Sequence, residues 1–172
     1  MDAAMGPNSH PDETLDRLIT TFYDSILRLC HVILQDRSAA EDAAQETFLK
    51  AYRGLASFRG QCSEKTWLTS IAVNTCRDMR KSAWFRHTER RVTPEELPVP
   101  APQQDEDVMA LAQAISRLPA RYRDAVLLYY YQDMTMQEVA LALNTAPSTI
   151  AKRLSRAKDL LRRALEVSQH EG

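Results

Sequence analysis

Apolar residues recur through most of the chain at spacings of three and four, the period of an amphipathic α-helix. The first such run starts after Thr14, a candidate N-cap. Ser38 opens a second helix, with Glu41 three residues further on as a capping box. Ser63 caps a third helix that runs to about Ser82. Because no segment shows the alternating pattern of a strand, we predict an all-α protein.

A proline-rich, acidic segment divides the chain. Four of the eight prolines lie between residues 94 and 102, and acidic residues occupy positions 105–107. Proline at this density disfavours helix and strand alike, which predicts a flexible linker. The predicted organisation is a loose tail over residues 1–13, a helical domain over residues 14–86, the linker over residues 87–106, and a second, four-helix domain over residues 107–172.

The second domain contains a helix-turn-helix pattern between Thr135 and Arg163. Asn144 suits the left-handed residue that ends a helix, and Pro147 suits the first turn of the next helix. That helix has an apolar stripe on one side and a stripe of hydroxyls and cations on the other, which fits a DNA major groove. The apolar stripe is Ile150, Leu154, Ala157 and Leu161, and the polar stripe is Ser148, Lys152, Ser155, Arg156 and Arg163.

The distribution of charge favours contact with nucleic acid, although the net charge is only −1. Residues 61–92 carry seven basic and three acidic side chains, and residues 147–163 carry six basic and one acidic. Acidic segments separate these two basic patches. Since local patches attract phosphates more than the total charge does, two nucleic-acid contacts are predicted.

The exposed side of the second helix permits two interpretations. Its stripe is polar except for one leucine and is acidic toward the N-terminal end, so it is either a solvated face or a partner-binding surface. The stripe consists of Asp42, Gln45, Glu46, Leu49 and Arg53.

The loop before the third helix and the basic end of that helix also permit two interpretations. Gly54 and Gly60 mark the loop, which holds an aromatic residue, a cation and an amide. The cations at the helix end either complement the helix dipole or form, with the loop, a groove in which bases stack and phosphates pair with cations. The loop residues are Phe58, Arg59 and Gln61, and the cations are Arg77, Arg80 and Lys81.

No pattern of catalytic or metal-binding residues occurs in the sequence. There is no Gly-rich phosphate loop, HExxH motif or readable nucleophile–base pair, and the four histidines are scattered. The three cysteines include no CxxC pair, and Cys30 and Cys76 lie in apolar helical patterns typical of core residues. We therefore expect no enzyme activity, metal site, cofactor or small-molecule substrate. The absence of a signal-like segment or a long apolar run favours the cytosol.

Taken together, the segments resemble an extracytoplasmic-function (ECF) sigma factor of bacterial RNA polymerase. The resemblance covers about residues 21–165 in the expected order. Each segment alone is weakly specific, but the ordered set across a Pro-rich linker is highly specific. The segments are AEDAAQETFLKAYRGL (40–55), FRGQCSEKTWLTSIAVNTCRDMRK (58–81), LPARYRDAVLLYYYQDMTMQEVALAL (118–143) and STIAKRLSRAKDLLRRAL (148–165).

This resemblance implies roles for the candidate residues. The stripe of the second helix would dock on the clamp helices of the polymerase β′ subunit, and the β subunit is a further expected partner. Bases of the melted −10 strand would contact Phe58, Arg59 and Gln61. The strand backbone and neighbouring bases would contact Asn74, Arg77, Arg80 and Lys81. The −35 duplex would be read by Ser148, Thr149, Lys152, Arg153, Ser155 and Arg156.

The resemblance also implies a bacterial cytoplasmic protein that a membrane-linked anti-sigma factor holds at the inner membrane face. The family often has Gly where Ser148 stands, and a basic–Ser–Arg triplet where Ala151, Lys152 and Arg153 stand. These departures bear on base preference. The domain that binds the promoter spacer in larger sigma factors is missing, as in the short class.

Three other functions compete with a promoter-specificity subunit. A sigma-like adaptor or decoy would bind an anti-sigma factor without DNA, but it would not need two basic faces. A homodimeric repressor would use the helix-turn-helix alone. The absence of a dimerisation helix and the presence of a separate N-terminal helical domain argue against it. An enzyme has no supporting constellation of residues.

Overall fold

Seven α-helices account for most of residues 10–82 and 106–170, the residues that the computed structural model describes. No strand occurs in these two ranges, as the all-α prediction requires. The described helices are α1 (Pro11–Leu34), α2 (Arg37–Gly54), α3 (Glu64–Lys81), α4 (Glu106–Ser116), α5 (Ala120–Val126), α6 (Met136–Ala142) and α7 (Pro147–His170). Within the same ranges, no helix is both long enough and apolar enough to cross a membrane.

Helices α1, α2 and α3 pack against one another and form the first of two compact units. The side of α2 that faces this core is mostly alanine, which lets the neighbouring helices approach closely. Burial of Cys30 and Cys76 confirms the prediction that both are core residues. The buried side of α2 includes Ala44, Phe48 and Ala51, and Leu55 is buried directly after the helix.

The first two helices begin at other residues than the sequence pattern predicted. Helix α1 starts at Pro11, whose fixed φ suits a first turn, so Thr14 is a buried first-turn residue and not the N-cap. Residues 11–13 are therefore helical, and residues 1–9 of the predicted tail lie outside the described ranges. Helix α2 is capped by Asp36, whose Oδ1 accepts a hydrogen bond from the Ala39 amide at 2.9 Å. The predicted Ser38 cap is wrong because the Asp36 carboxylate, an equally strong cap, comes two residues earlier.

The second unit packs α4, α5 and α6 against α7. Its core includes the predicted stripe residues Ile150, Leu154 and Ala157. Helix α4 begins at Glu106, the last residue of the predicted linker, and residues 83–105 lie outside the described ranges.

The helical segment over residues 120–131 changes its geometry after Val126. After α5, residues Leu127–Tyr131 form a wider π-helical turn, closed by a hydrogen bond from the Gln132 amide to the Leu127 carbonyl at 3.1 Å. Two of the three adjacent tyrosines in this turn, Tyr130 and Tyr131, are 46% and 58% exposed. A π-turn adds one residue per turn, which changes the side chains that face the core.

Candidate functional sites

The loop between α2 and α3 is anchored by an aromatic stack. The Phe58 ring lies on the Trp67 ring, with centroids 4.5 Å apart and planes 20° apart. The Phe58 amide donates a hydrogen bond to the Gly54 carbonyl at 3.1 Å. A Cβ at Gly54 would lie 3.3 Å from Trp67 Cζ2, so the missing side chain makes room for the indole. These contacts leave Phe58 half-buried.

The tip of this loop is a tight turn with exposed side chains. Gly60 has a φ of +72°, a conformation that glycine adopts without strain. Across the turn, the Arg59 amide donates a hydrogen bond to Gln61 Oε1 at 3.1 Å. The turn ends at Ser63, whose Oγ accepts a hydrogen bond from the Thr66 amide at 3.1 Å and caps α3, as predicted.

An ion pair joins the start of α3 to α1. The Arg17 guanidinium donates two hydrogen bonds to the Glu64 carboxylate, at 2.9 and 2.7 Å, and the hydrogen bond raises the pKa of Arg17. An exposed pair of this kind contributes at most about 1 kcal/mol to stability. The pair matters more for geometry than for stability, because its two parallel hydrogen bonds hold the N-terminal end of α3, directly after the loop, in place against α1.

A polar surface runs from this loop along α3. Trp67, Asn74 and Lys81 are spaced seven residues apart. Seven residues make about two helical turns, so the three side chains lie on the same face of α3. Arg77 lies beside them, and Arg80 is half-buried at the edge. The 18 residues of α3 span about 27 Å, so the surface is long enough for several nucleotides. We call this surface, from Phe58 along Trp67 and Asn74 to Lys81, the loop–α3 surface.

The predicted partner-binding stripe of α2 lies opposite its buried stripe. Asp42, Gln45 and Arg53 are exposed, and Glu46 is half-buried. Leu49 is 51% exposed among these polar groups.

Tyr52, which the sequence pattern did not single out, is also exposed and follows Leu49 by three residues. Its hydroxyl donates a hydrogen bond to Asp12 Oδ1 at 2.9 Å, which raises the pKa of Tyr52. The exposed Leu49 and Tyr52, one turn apart, form an apolar patch that extends from the charged stripe to its edge. Because Tyr52 lies between the polar and the buried stripe, periodicity alone could not reveal it.

The helix-turn-helix has the turn chemistry predicted for it. Asn144 is left-handed with a φ of 50°, and the Thr145 amide donates a hydrogen bond to the Ala140 carbonyl at 2.9 Å. At the other end of α6, Thr135 and Glu138 form a reciprocal capping box. These contacts define both ends of α6, and α7 begins at Pro147, as the turn pattern predicted.

The six predicted −35 residues lie on the first three turns of α7 and fall into two groups that differ in exposure. Four form one exposed stripe, opposite the buried Ile150 and Leu154. Thr149 and Arg153 are half-buried at the side of this stripe, next to the core-facing positions. The exposed stripe is Ser148, Lys152, Ser155 and Arg156.

Two family models match the chain, one to each unit. Residues 18–86 match sigma-70 region 2, and residues 108–161 match sigma-70 region 4. The RNA polymerase sigma-H factor of Pseudomonas aeruginosa is 30% identical over 88% of this chain and 86% of the relative. The ECF RNA polymerase sigma factor SigW of Bacillus subtilis is 30% identical over 86% of this chain and 87% of the relative.

A solved structure shares the fold at lower identity. The sigma factor RpoE of Bartonella quintana, in complex with the anti-sigma factor NepR, has a TM-score of 0.71 and 22% identity. The match covers 90% of this chain and 98% of that one. The two matched regions and the relatives aligned over most of their length lead to one conclusion: this chain belongs to the sigma-70 family of RNA polymerase sigma factors, in its extracytoplasmic-function group.

Proposed function

We propose that this ECF sigma factor directs transcription initiation through three separate surfaces. The exposed stripe of α2 docks on the β′ clamp helices, with Leu49 at its centre. The loop–α3 surface captures the melted −10 strand, and the first turns of α7 read the −35 duplex. The β subunit of the polymerase is a further partner of the sigma factor. The supporting observation is the alignment of the loop, Asn74 and Lys81 along one side of α3.

Strand capture follows from the chemistry of the loop. Melting exposes bases at a cost of a few kcal/mol, and stacking on an aromatic ring recovers about 1–3 kcal/mol per base. Trp67 covers one face of Phe58, so a base would add to the other face as a third layer. Because the stack already exists without DNA, binding needs less ordering of the loop. Asn74, Arg77 and Lys81 would hold the strand that continues along α3, with Arg80 at the margin.

Duplex reading follows from the two groups of residues on α7. Lys152 and Arg156 carry the donors that suit base edges and phosphates, and Ser148 and Ser155 are short enough to let the helix approach the groove. Thr149 and Arg153 would contact the backbone at the side of the helix. A promoter that must satisfy two separate contacts, one with single-stranded DNA and one with duplex DNA, is bound more tightly and more selectively than a site that satisfies only one.

The proposal includes a cytoplasmic site of action and no catalysis by the sigma factor itself. Core polymerase supplies the chemistry, and this chain supplies promoter choice. An anti-sigma factor, linked to the membrane, would hold the protein inactive by covering its basic faces. The structurally similar RpoE was solved with an anti-sigma factor bound, which supports this regulation.

Run-off transcription with purified core polymerase on a fragmented genomic library tests the proposal. The expected result is a set of transcripts that require this protein and whose start sites share two upstream elements at a fixed spacing. Core polymerase alone is the control. Tight binding to an anti-sigma factor without any sigma-dependent transcript would instead identify a decoy.

Removing the support of the loop is expected to weaken strand capture. Trp67→Ala deletes the platform beneath Phe58 and should lower the affinity of the holoenzyme for a single-stranded −10 oligonucleotide roughly tenfold, the equivalent of one stacked base. Trp67→Phe retains an aromatic platform and should bind within about threefold of the unaltered protein. Fluorescence anisotropy of a labelled oligonucleotide measures both. Equal affinities for Trp67→Ala and the unaltered protein would contradict a role for the stack.

A further inference from the structure

The hydrogen bond within the loop fixes which end of the Gln61 amide is available to a ligand. A backbone N–H can only donate, so the atom 3.1 Å from the Arg59 amide is the carbonyl oxygen Oε1. The NH2 group of the exposed Gln61 side chain is therefore the end left for a ligand, and it offers donors only. The positive φ of Gly60 makes this possible, because it folds the chain so that Gln61 reaches back to Arg59.

The neighbouring side chains have the same hydrogen-bonding character. Arg59 is exposed, and its guanidinium donates but does not accept hydrogen bonds. The nearest carboxylate along the chain is Glu64, and both of its oxygens accept hydrogen bonds from Arg17 at 2.7 and 2.9 Å. Ser63 Oγ is used in the cap of α3. The exposed side chains at the loop tip thus present donors.

From this arrangement we infer that Gln61 is a specificity-determining residue whose NH2 group donates to the exocyclic position of a base on its Watson–Crick edge, and so selects a carbonyl over an amine at that position. The inference rests on the proposed capture of the −10 strand by this loop. An amide that reads adenine uses its oxygen and its nitrogen together, accepting from the amine and donating to the ring. Gln61 cannot do so while Oε1 is bonded to Arg59. Phe58 supplies stacking to any base, so discrimination falls to the donors beside it.

Pairs of bases that differ at this edge test the inference. Holoenzyme binding is measured with single-stranded −10 oligonucleotides in which each position in turn carries hypoxanthine or adenine, and uracil or cytosine. Within each pair the ring size is the same, a carbonyl replaces the amine, and the neighbouring ring nitrogen changes from an acceptor to an N–H donor. A donor aimed at the exocyclic position therefore favours the carbonyl base, and a donor aimed at the ring nitrogen favours the amine base. At one position, the carbonyl base of each pair is expected to bind about three- to tenfold more tightly. Equal binding within both pairs at every position would overturn the inference.

Gln61→Glu is the matched variant. One carboxylate oxygen can still accept the Arg59 amide, so the loop hydrogen bond is retained, but the outward group becomes an acceptor. The preference for the carbonyl base is expected to disappear or to reverse. An unchanged preference in Gln61→Glu would overturn the role of Gln61, even if the unaltered protein discriminates. Failure of every oligonucleotide to bind would overturn strand capture itself, so the two failures are distinguishable.

Discussion

Lys152→Ala combined with Arg156→Ala is expected to lower the affinity of the holoenzyme for its −35 duplex at least about thirtyfold. Each lost base contact costs roughly 1–3 kcal/mol, and both side chains lie on the exposed stripe of α7. The buried residues Ile150 and Leu154 are untouched, so the fold of the second unit should persist. A gel-shift titration at one fixed salt concentration measures the change.

The control removes the same charge from another part of α7. Arg162→Ala combined with Arg163→Ala also deletes two cations, but from a segment that lies about four turns beyond Ser148, where the stripe starts. Arg162 is paired there with Asp159 at 3.4 Å. If long-range attraction to phosphate were the whole effect, both double variants would weaken binding equally. That result, or unchanged −35 binding by the first variant, would contradict base reading by Lys152 and Arg156.

Asp42→Arg combined with Glu46→Arg is expected to abolish co-purification with core polymerase. Reversing two charges on a docking face replaces attraction by repulsion, which costs several kcal/mol, or a hundredfold or more in affinity. Asp42 is exposed and Glu46 half-buried on the outer side of α2, away from the alanine-lined core. The helical circular-dichroism signal should therefore stay unchanged.

A double reversal on α1 serves as the control. Asp16→Arg with Asp24→Arg makes the same change in charge at two exposed positions outside the α2 stripe. This variant should still co-purify with polymerase. If both variants lose the polymerase, net charge and not the α2 face governs docking. If the α2 variant keeps the polymerase, the docking face is elsewhere.

Much of the architecture follows from local rules. Ser63 caps α3 because its hydroxyl accepts an amide of the first turn, and Asn144 ends α6 because it tolerates a left-handed backbone. The helical period alone separated Ile150 and Leu154 from Lys152 and Arg156. Such features depend on residues within a few positions of each other, which a pattern records directly.

The errors arose where two local rules competed or where packing decided. Asp36 and Ser38 are both good caps, and periodicity does not distinguish them. The helical pattern continues through the tyrosine run, yet the helix widens into a π-turn after Val126, and Tyr130 and Tyr131 are exposed. Neither a competing cap nor a change of helical period has a reliable signature in a single sequence.

The sequence by itself determined the helical class, the helix-turn-helix and the family, because these depend on period, turn chemistry and the order of motifs. Only the tertiary structure brought Phe58 onto Trp67, nine residues away. The backbone conformation at Gly60, which the pattern did not specify, turned Gln61 Oε1 toward the Arg59 amide. The tertiary structure also joined Arg17 to Glu64, across 47 residues. These contacts depend on where the chain folds back on itself. Periodicity predicts the helix face on which a residue lies, but not which side chain of another segment it contacts.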